Sequence, residues 1–119
     1  MTKENLLLYY NPRCSKCRIA KGFLENNNIR FKIINYLDSK MSKDKIKEIL
    51  TIGNLKVKDI MRINEEEYKQ NVRGKDLSEE ELITLICEHP RLLQRPIITN
   101  SKKALITRDE ESLEKVKTW

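Results

Sequence analysis

Residues 11–18 read NPRCSKCR and lie between an apolar run at residues 6–10 and a helical pattern that starts near Arg18. This order predicts a strand, a tight turn and a helix, with Cys14 and Cys17 at the start of the helix. A thiol in that position faces unpaired backbone N–H groups and the positive end of the helix dipole, which favour its thiolate. Because cationic side chains flank it, we expect Cys14 to be a nucleophile with a pKa below that of free cysteine.

The two cysteines have two other interpretations, a zinc half-site and a pair of packed thiols. A C-x-x-C pair at a strand-to-helix turn favours thiol redox chemistry over both. Cys87 and His89 are the remaining candidates for a zinc site, but their C-x-H spacing is not that of a usual ligand pair. We therefore predict no metal site. We expect Cys87 to be a buried thiol on an apolar helix face, and His89 to be a cap or packing residue.

Length, composition and charge limit the possible classes of protein. The 119 residues, of which 39% are hydrophobic, predict one domain over residues 1–119. Three cysteines without disulfide-framework spacing indicate a reducing cytosol. The short apolar stretch after residues 2–4 does not resemble a signal peptide, and no apolar run is long enough to span a membrane. The net charge of +6 is spread along the chain with few aromatic residues between the charges, so we predict no direct nucleic-acid binding.

The first third of the chain has a strand–helix–strand pattern. The predicted strand at residues 6–10 is followed by a helix from residue 15 to about residue 26, and then by a strand at residues 29–36. A crossover helix of this length joins strands that run parallel. The N-terminal part of the chain therefore predicts a βαβ unit, with the cysteine pair at the carboxyl end of its first strand.

The middle of the chain, from residue 42 to about residue 88, carries only helical signals. Ser42 is a candidate N-cap, and Asn64 and Ser78 each precede a glutamate by three residues, which is the pattern of a capping box. The segment is too short for a core of its own and lies between parts of one sheet. It therefore predicts a helical insertion in the domain.

Two further strands and a last helix complete the pattern. The strands are expected at residues 96–99 and 104–107 around a polar turn, and the helix is expected to follow Asp109. A βαβ unit, a hairpin and a closing helix, with a reactive cysteine after the first strand, describe an α/β protein with a thioredoxin-like (glutaredoxin-like) fold. The prediction is a mixed four-stranded sheet with an inserted helical subdomain.

Four segments of the chain resemble the thioredoxin-fold arsenate reductases of the ArsC/Spx superfamily, and the resemblance spans nearly the whole length. In chain order they are NPRCSKCR at residues 11–18, IMRIN at residues 60–64 with Tyr68 after it, EHPRLLQRPI at residues 88–97, and Arg108.

The resemblance implies a role for each matching residue. Cys14 corresponds to the cysteine that attacks arsenate, and Arg62, Arg95 and Arg108 correspond to three arginines that cradle the oxyanion. Planar guanidinium groups neutralise oxyanion oxygens with paired hydrogen bonds, which lets a thiolate approach. Asn11 and the backbone N–H groups of its loop are expected to help bind the same oxygens.

The resemblance also implies a cis peptide bond before Pro96, because thioredoxin-like folds usually place a cis-proline opposite the active cysteine. No bound cofactor is implied, and the electron donor would be glutathione with glutaredoxin, or thioredoxin. Two residues depart from the reductase pattern, which often has a histidine where this chain has Tyr10 and a serine where it has Cys17. The extra thiol suggests a resolving role, with a Cys14–Cys17 disulfide as intermediate.

Two alternative functions stay open. The C-x-x-C pair is also typical of the Spx regulators, which share the fold, bind the RNA polymerase α subunit and use the cysteines as a redox switch. The IMRIN segment with Tyr68, and Arg108, favour the reductase, whereas Arg95 and Pro96 fit both groups. A general thiol oxidoreductase would need the cysteines but no complete set of arginines.

Overall fold

A four-stranded mixed sheet forms the centre of the computed structural model, which describes residues 6–38 and 41–119. The strands are β1 (Leu6–Tyr9), β2 (Phe31–Ile34), β3 (Ile97–Thr99) and β4 (Ala104–Ile106), in the spatial order β2-β1-β3-β4. β1 pairs with β2 in parallel, and the β1–β3 and β3–β4 pairs are antiparallel. This topology confirms the predicted thioredoxin-like fold. Residues 2–4, which bear on the signal-peptide prediction, lie outside the described residues.

Five α-helices pack around the sheet in residues 6–38 and 41–119. They are α1 (Ser15–Asn26), α2 (Lys43–Gly53), α3 (Glu66–Asn71), α4 (Glu79–Glu88) and α5 (Glu110–Lys117), and 3-10 turns occupy Val57–Ile60 and Pro90–Leu92. α2, α3 and α4 follow one another between β2 and β3, as the predicted insertion requires. Within the described part of the chain, no helix is long and apolar enough to cross a bilayer.

The two faces of the sheet carry separate hydrophobic clusters. Side chains alternate along a strand, so Leu8 of β1 and Ile98 of β3 pack with α1 and α5 on one face. The neighbouring pair in these antiparallel strands, Tyr9 and Ile97, packs with the helical insertion on the other face. The insertion therefore packs on one face of the sheet, and α1 and α5 pack on the other.

Of the three helix caps predicted in the insertion, two are confirmed and one is wrong. The Ser42 hydroxyl accepts the Lys45 N–H at 3.1 Å, and Ser78 forms the predicted capping box with α4. Asn64 caps no helix, because α3 begins one residue later than the box requires, with Glu65 as its N-cap. The physical reason is that the Glu65 N–H donates to the Arg62 carbonyl at 3.2 Å in a preceding turn.

The strands are shorter than predicted, most of all β2, for which residues 29–36 were expected. At one end, the Ile29 N–H donates to the Leu24 carbonyl and so closes the last turn of α1. At the other end, the Asp38 N–H donates to the Asn35 carbonyl in a turn. The ladder on β1 ends at Tyr9 in place of the predicted residue 10. These local turns leave the predicted order and pairing unchanged.

Candidate active site

The thiol loop, residues 11–17, joins β1 to the first turn of α1. Cys14 is the N-cap residue of α1 with extended backbone angles, φ −94° and ψ 120°, and its side chain makes no capping hydrogen bond. The Cys14 N–H donates to the Asn11 carbonyl at 3.0 Å, and the Arg13 N–H donates to Asn11 Oδ1 at 2.9 Å. Asn11, which is itself buried, thus fixes the turn that presents Cys14.

The two thiols of this loop are neighbours with opposite acid–base character. Both are free thiols, with 7% of Cys14 and none of Cys17 exposed. Burial alone would raise the pKa of Cys14, but the Cys17 backbone N–H, the Arg95 guanidinium and the Cys17 thiol together hold that pKa below its ordinary value of 9.0. Burial, together with the adjacent Cys14, raises the pKa of Cys17 to about 12, against a hydrogen bond from the Asn11 backbone. The first ionisation therefore belongs to Cys14, and Cys17 keeps its proton.

Arg95 is the cation that faces Cys14. It lies two residues before β3, its peptide bond to Pro96 is cis as expected, and its half-buried side chain is within hydrogen-bonding reach of the Cys14 sulfur. Burial would lower the pKa of the guanidinium, but its interactions with Cys14, Tyr36 and Cys17 raise that pKa above the ordinary value. Arg95 therefore stays charged, and it stabilises a thiolate on Cys14.

The arginine segment, residues 92–95, is tied by backbone hydrogen bonds to the part of the insertion that carries Arg62. The Arg62 N–H donates to the Leu92 carbonyl at 2.7 Å, and the Gln94 N–H donates to the Ile60 carbonyl at 2.7 Å. Two short bonds of this kind fix the backbone of Arg62 next to the segment that ends in Arg95. Residues more than thirty positions apart are thereby brought to one place.

The side chains of the other two predicted arginines reach this region in different ways. Arg62 Nη1 forms an ion pair with Glu65 Oε1 at 2.8 Å, and both side chains are about three-quarters buried, with 26% and 28% exposed. Arg108 is exposed, and its Nη1 donates to the Arg95 carbonyl and to Gln94 Oε1. The structure thus brings Arg95 into contact with Cys14, and it attaches Arg62 and Arg108 to the same arginine segment.

Tyr36 is a site residue that sequence reasoning missed, because it was counted only as the end of the second strand. Its ring is 1% exposed, and its hydroxyl lies within electrostatic reach of Arg95, Cys17 and Arg62. A signal did exist in the sequence. β1 and β2 are parallel, so the residues that follow them emerge at the same edge of the sheet, where α/β proteins bind their ligands.

Cys87 and His89, the remaining candidates for a zinc site, lie at the end of α4. Cys87 is half-buried, which corrects the expectation of a buried thiol, and burial raises its pKa. The reason is its position near the last turn of α4, where Leu82 and Ile86 are buried in the core and Cys87 packs only at the edge of that cluster. His89 is the C-cap of α4, and its N–H donates to the Leu85 carbonyl at 2.8 Å. Among the described residues, no three His, Cys, Asp or Glu side chains lie close enough to hold a metal ion.

Comparisons with known proteins identify relatives along almost the whole chain. The profile of the ArsC family matches residues 9–116. An arsenate reductase from Haemophilus influenzae is 38% identical over 111 residues, which cover 92% of this chain and 96% of that protein. The structure of an arsenate reductase from Vibrio cholerae is 34% identical with a TM-score of 0.88, over 95% of this chain and 98% of that one. The global transcriptional regulator Spx of Lactiplantibacillus plantarum is 33% identical over 91% of this chain and 83% of that protein.

Proposed function

Because the chain belongs to the ArsC family, we propose that it is an arsenate reductase whose nucleophile is Cys14. The observation that carries this proposal is the environment of the Cys14 thiol. Cys14 lies at the N-cap position of α1, and its thiol has two features: its pKa is lowered, and a permanently charged guanidinium faces it. A nucleophile that must attack an anion needs both features, since the thiolate is the reactive form and the cation offsets the repulsion between two negative charges.

The first chemical step forms a bond between Cys14 Sγ and arsenic. The thiolate attacks arsenate held by the arginines, and one arsenate oxygen leaves as water after protonation. Arsenic remains As(V) in this step, because one oxygen ligand has only been exchanged for sulfur. Arg95 is placed to bind the oxyanion next to the sulfur. We assign Arg62 and Arg108 to the remaining oxygens, and Asn11 to the geometry of the loop.

The second step reduces arsenic with the electron pair of that new bond. Another thiolate attacks Cys14 Sγ, a disulfide forms, and the sulfur–arsenic pair stays on arsenic, which leaves as arsenite. Cys17 is adjacent, but burial first and the Cys14 thiolate second raise its pKa and hold its proton. Once Cys14 carries arsenic, its thiolate charge no longer adds to the effect of burial, so Cys17 loses its proton to the departing arsenic group or to solvent more easily and can attack. The internal disulfide is therefore our first choice for the intermediate, and a mixed disulfide with glutathione is the alternative.

An external thiol must then reduce the disulfide and is itself oxidised. Thioredoxin fits a Cys14–Cys17 disulfide, whereas glutathione with glutaredoxin fits a mixed disulfide on Cys14 alone. We propose that the reaction takes place in the reducing cytoplasm, where three free cysteines are stable.

Consumption of reductant that depends on arsenate tests the function directly. The full chain is assayed with thioredoxin and, separately, with glutathione and glutaredoxin, together with Cys14→Ser and Cys87→Ser variants. We expect wild-type turnover with one donor, no turnover above background for Cys14→Ser, and near-normal turnover for Cys87→Ser, whose thiol lies on α4. No arsenate-dependent consumption with either donor, or turnover retained by Cys14→Ser, would contradict the proposal.

Mass spectrometry after a single turnover distinguishes the two cycles. A Cys14–Cys17 link, together with lost turnover in Cys17→Ser, supports the internal disulfide. A glutathione adduct on Cys14, together with full turnover in Cys17→Ser, assigns Cys17 to packing and the second step to the external thiol.

An Spx-like regulator is the second candidate function. Cys17 and the similarity to Spx proteins favour it. Isothermal titration of the full chain with arsenate and with the C-terminal domain of the RNA polymerase α subunit separates the two functions. The reductase proposal predicts oxyanion binding that weakens in Arg108→Gln, and tight α-subunit binding with no oxyanion binding would favour the regulator.

A further inference from the structure

Two buried polar atoms near Cys14 have no hydrogen-bond partner within the part of the chain that the structure describes. They are the Tyr36 hydroxyl oxygen and the Nε of Arg95. Buried polar groups in folded proteins are almost always paired, so each such atom calls for an explanation. Here the two atoms belong to neighbouring side chains, since the Tyr36 phenol lies within reach of the Arg95 guanidinium.

The position of the Tyr36 ring is fixed by its apolar surroundings. The ring lines a small cavity together with Met41, Ile86, Pro90 and Leu93, and it belongs to the hydrophobic cluster between the sheet and the insertion. Only 1% of Tyr36 is exposed, so its ring is held among apolar side chains. Its hydroxyl is therefore a buried polar group at the site, within reach of the Arg95 guanidinium.

The hydrogen-bonding capacities of the two atoms are complementary. Guanidinium Nε–H can only donate, whereas a phenol oxygen can accept and still donate its own proton. Burial raises the pKa of Tyr36 to about 12, so the group remains a neutral phenol at physiological pH. Hydrogen bonds at catalytic sites are often long in the resting protein and tighten when charge develops at the reacting atom.

We propose that Tyr36 is a positioning residue whose phenol oxygen accepts the Arg95 Nε–H and holds the guanidinium against Cys14. This inference rests on the proposed role of Cys14 as the nucleophile. With Nε held from behind, the terminal nitrogens of Arg95 are directed toward the sulfur and the oxyanion. Without the phenol oxygen, the guanidinium would rotate away from the sulfur in part of the population, and the Cys14 thiolate would lose part of its stabilisation.

A double-mutant cycle on the pKa of Cys14 tests this role without any use of arsenate. The thiolate absorbance of the full chain is titrated in wild type, Tyr36→Phe, Arg95→Gln and the double variant. We expect Tyr36→Phe to raise the pKa of Cys14 by roughly half to one pH unit, the size of one modest hydrogen bond. In the Arg95→Gln background we expect the same change to have no further effect, because the phenol acts only through Arg95.

Tyr9→Phe is the matched control. Tyr9 is equally buried, but its hydroxyl faces Thr99 and Glu48 instead of Arg95. We expect this variant to leave the pKa of Cys14 unchanged. An unchanged pKa of Cys14 in Tyr36→Phe, or an equal shift with and without Arg95, would overturn the inference.

Nuclear magnetic resonance of the wild-type chain provides a measurement that needs no variant. The Arg95 Nε–H should exchange with solvent far more slowly than the Nε–H of the exposed Arg13. Equally fast exchange of the two signals would overturn the inference. In one outcome, the titration cycle gives the expected pKa shifts while the wild-type chain does not turn over arsenate. That result would support the role of Tyr36 and contradict only the reductase proposal.

Discussion

The thiol loop and the arginine segment face each other across the site, but they are built in opposite ways. The thiol loop is local, because hydrogen bonds among Asn11, Arg13 and Cys14 set its geometry within four residues. The arginine segment is non-local, because Arg62 and Arg108 reach it from chain positions that are far apart. The proposed nucleophile can therefore be read from a short motif, whereas the proposed anion-binding side exists only after the insertion has packed on the sheet.

Arg95→Gln should produce the largest effect, because it removes the contact that joins the two regions. Loss of one preorganised donor to a developing negative charge costs roughly 10²- to 10³-fold in kcat. The pKa of Cys14 should rise at the same time. Steady-state kinetics and thiol titration measure the two effects, with the exposed Arg91→Gln as control. A loss of kcat no greater than that in Arg91→Gln would show that Arg95 takes no part in the reaction.

The dependence of turnover on pH tests the Cys14 thiolate, which the thiol loop and Arg95 stabilise together. The Cys14 thiolate is the reacting form and its pKa lies below 9.0, so the rate should stay constant below pH 9 until the lowered pKa is reached. Below that pKa the rate should fall about tenfold per pH unit as the thiol is protonated. In Arg95→Gln the fall should begin at a higher pH. A wild-type rate that keeps rising up to pH 9 would show that the pKa of Cys14 is not lowered.

Arg108→Gln tests the arginine segment alone, with a smaller expected effect. We expect arsenate turnover to fall by about tenfold, the value of one charge-assisted hydrogen bond. Because Arg108 is exposed, its removal should change the free energy of unfolding by less than about 1 kcal/mol. Turnover and urea denaturation are measured on the same samples. A large loss of stability would make Arg108 a structural residue.

The effect that is smallest near neutral pH is that of Cys17, because it alters the stability of the fold only at alkaline pH. The pKa of Cys17 is raised to about 12, so between pH 9 and pH 12 the folded chain keeps a proton that the unfolded chain releases. Stability is therefore full below pH 9 and should decrease as the pH rises through this window, by at most about 1.4 kcal/mol per pH unit. In Cys17→Ser this contribution should disappear. Equal slopes in both proteins would show that Cys17 titrates normally.

What could be predicted from the sequence follows the same division between local and non-local structure. The bounds of α1, the Ser42 and Ser78 caps and the position of Cys14 depend on neighbouring residues and agree with the predictions. The Asn64 cap failed because a turn over residues 62–65, in which the Glu65 N–H donates to the Arg62 carbonyl, competed with it. Tyr36 was missed because its surroundings come from the insertion and the arginine segment, which a pattern of local residues does not describe.

The antiparallel bridge between Met61 and Leu93 has a further consequence for how the site opens. Together with the flanking bonds of Arg62 and Gln94, it forms a short ladder between two segments without other strand pairing. A ladder of this kind breaks as one cooperative unit, so its amide protons should exchange with solvent at a common free energy. Release of the insertion would then carry Arg62 away from Arg95 in a single local unfolding event, while Cys14 stayed on its helix.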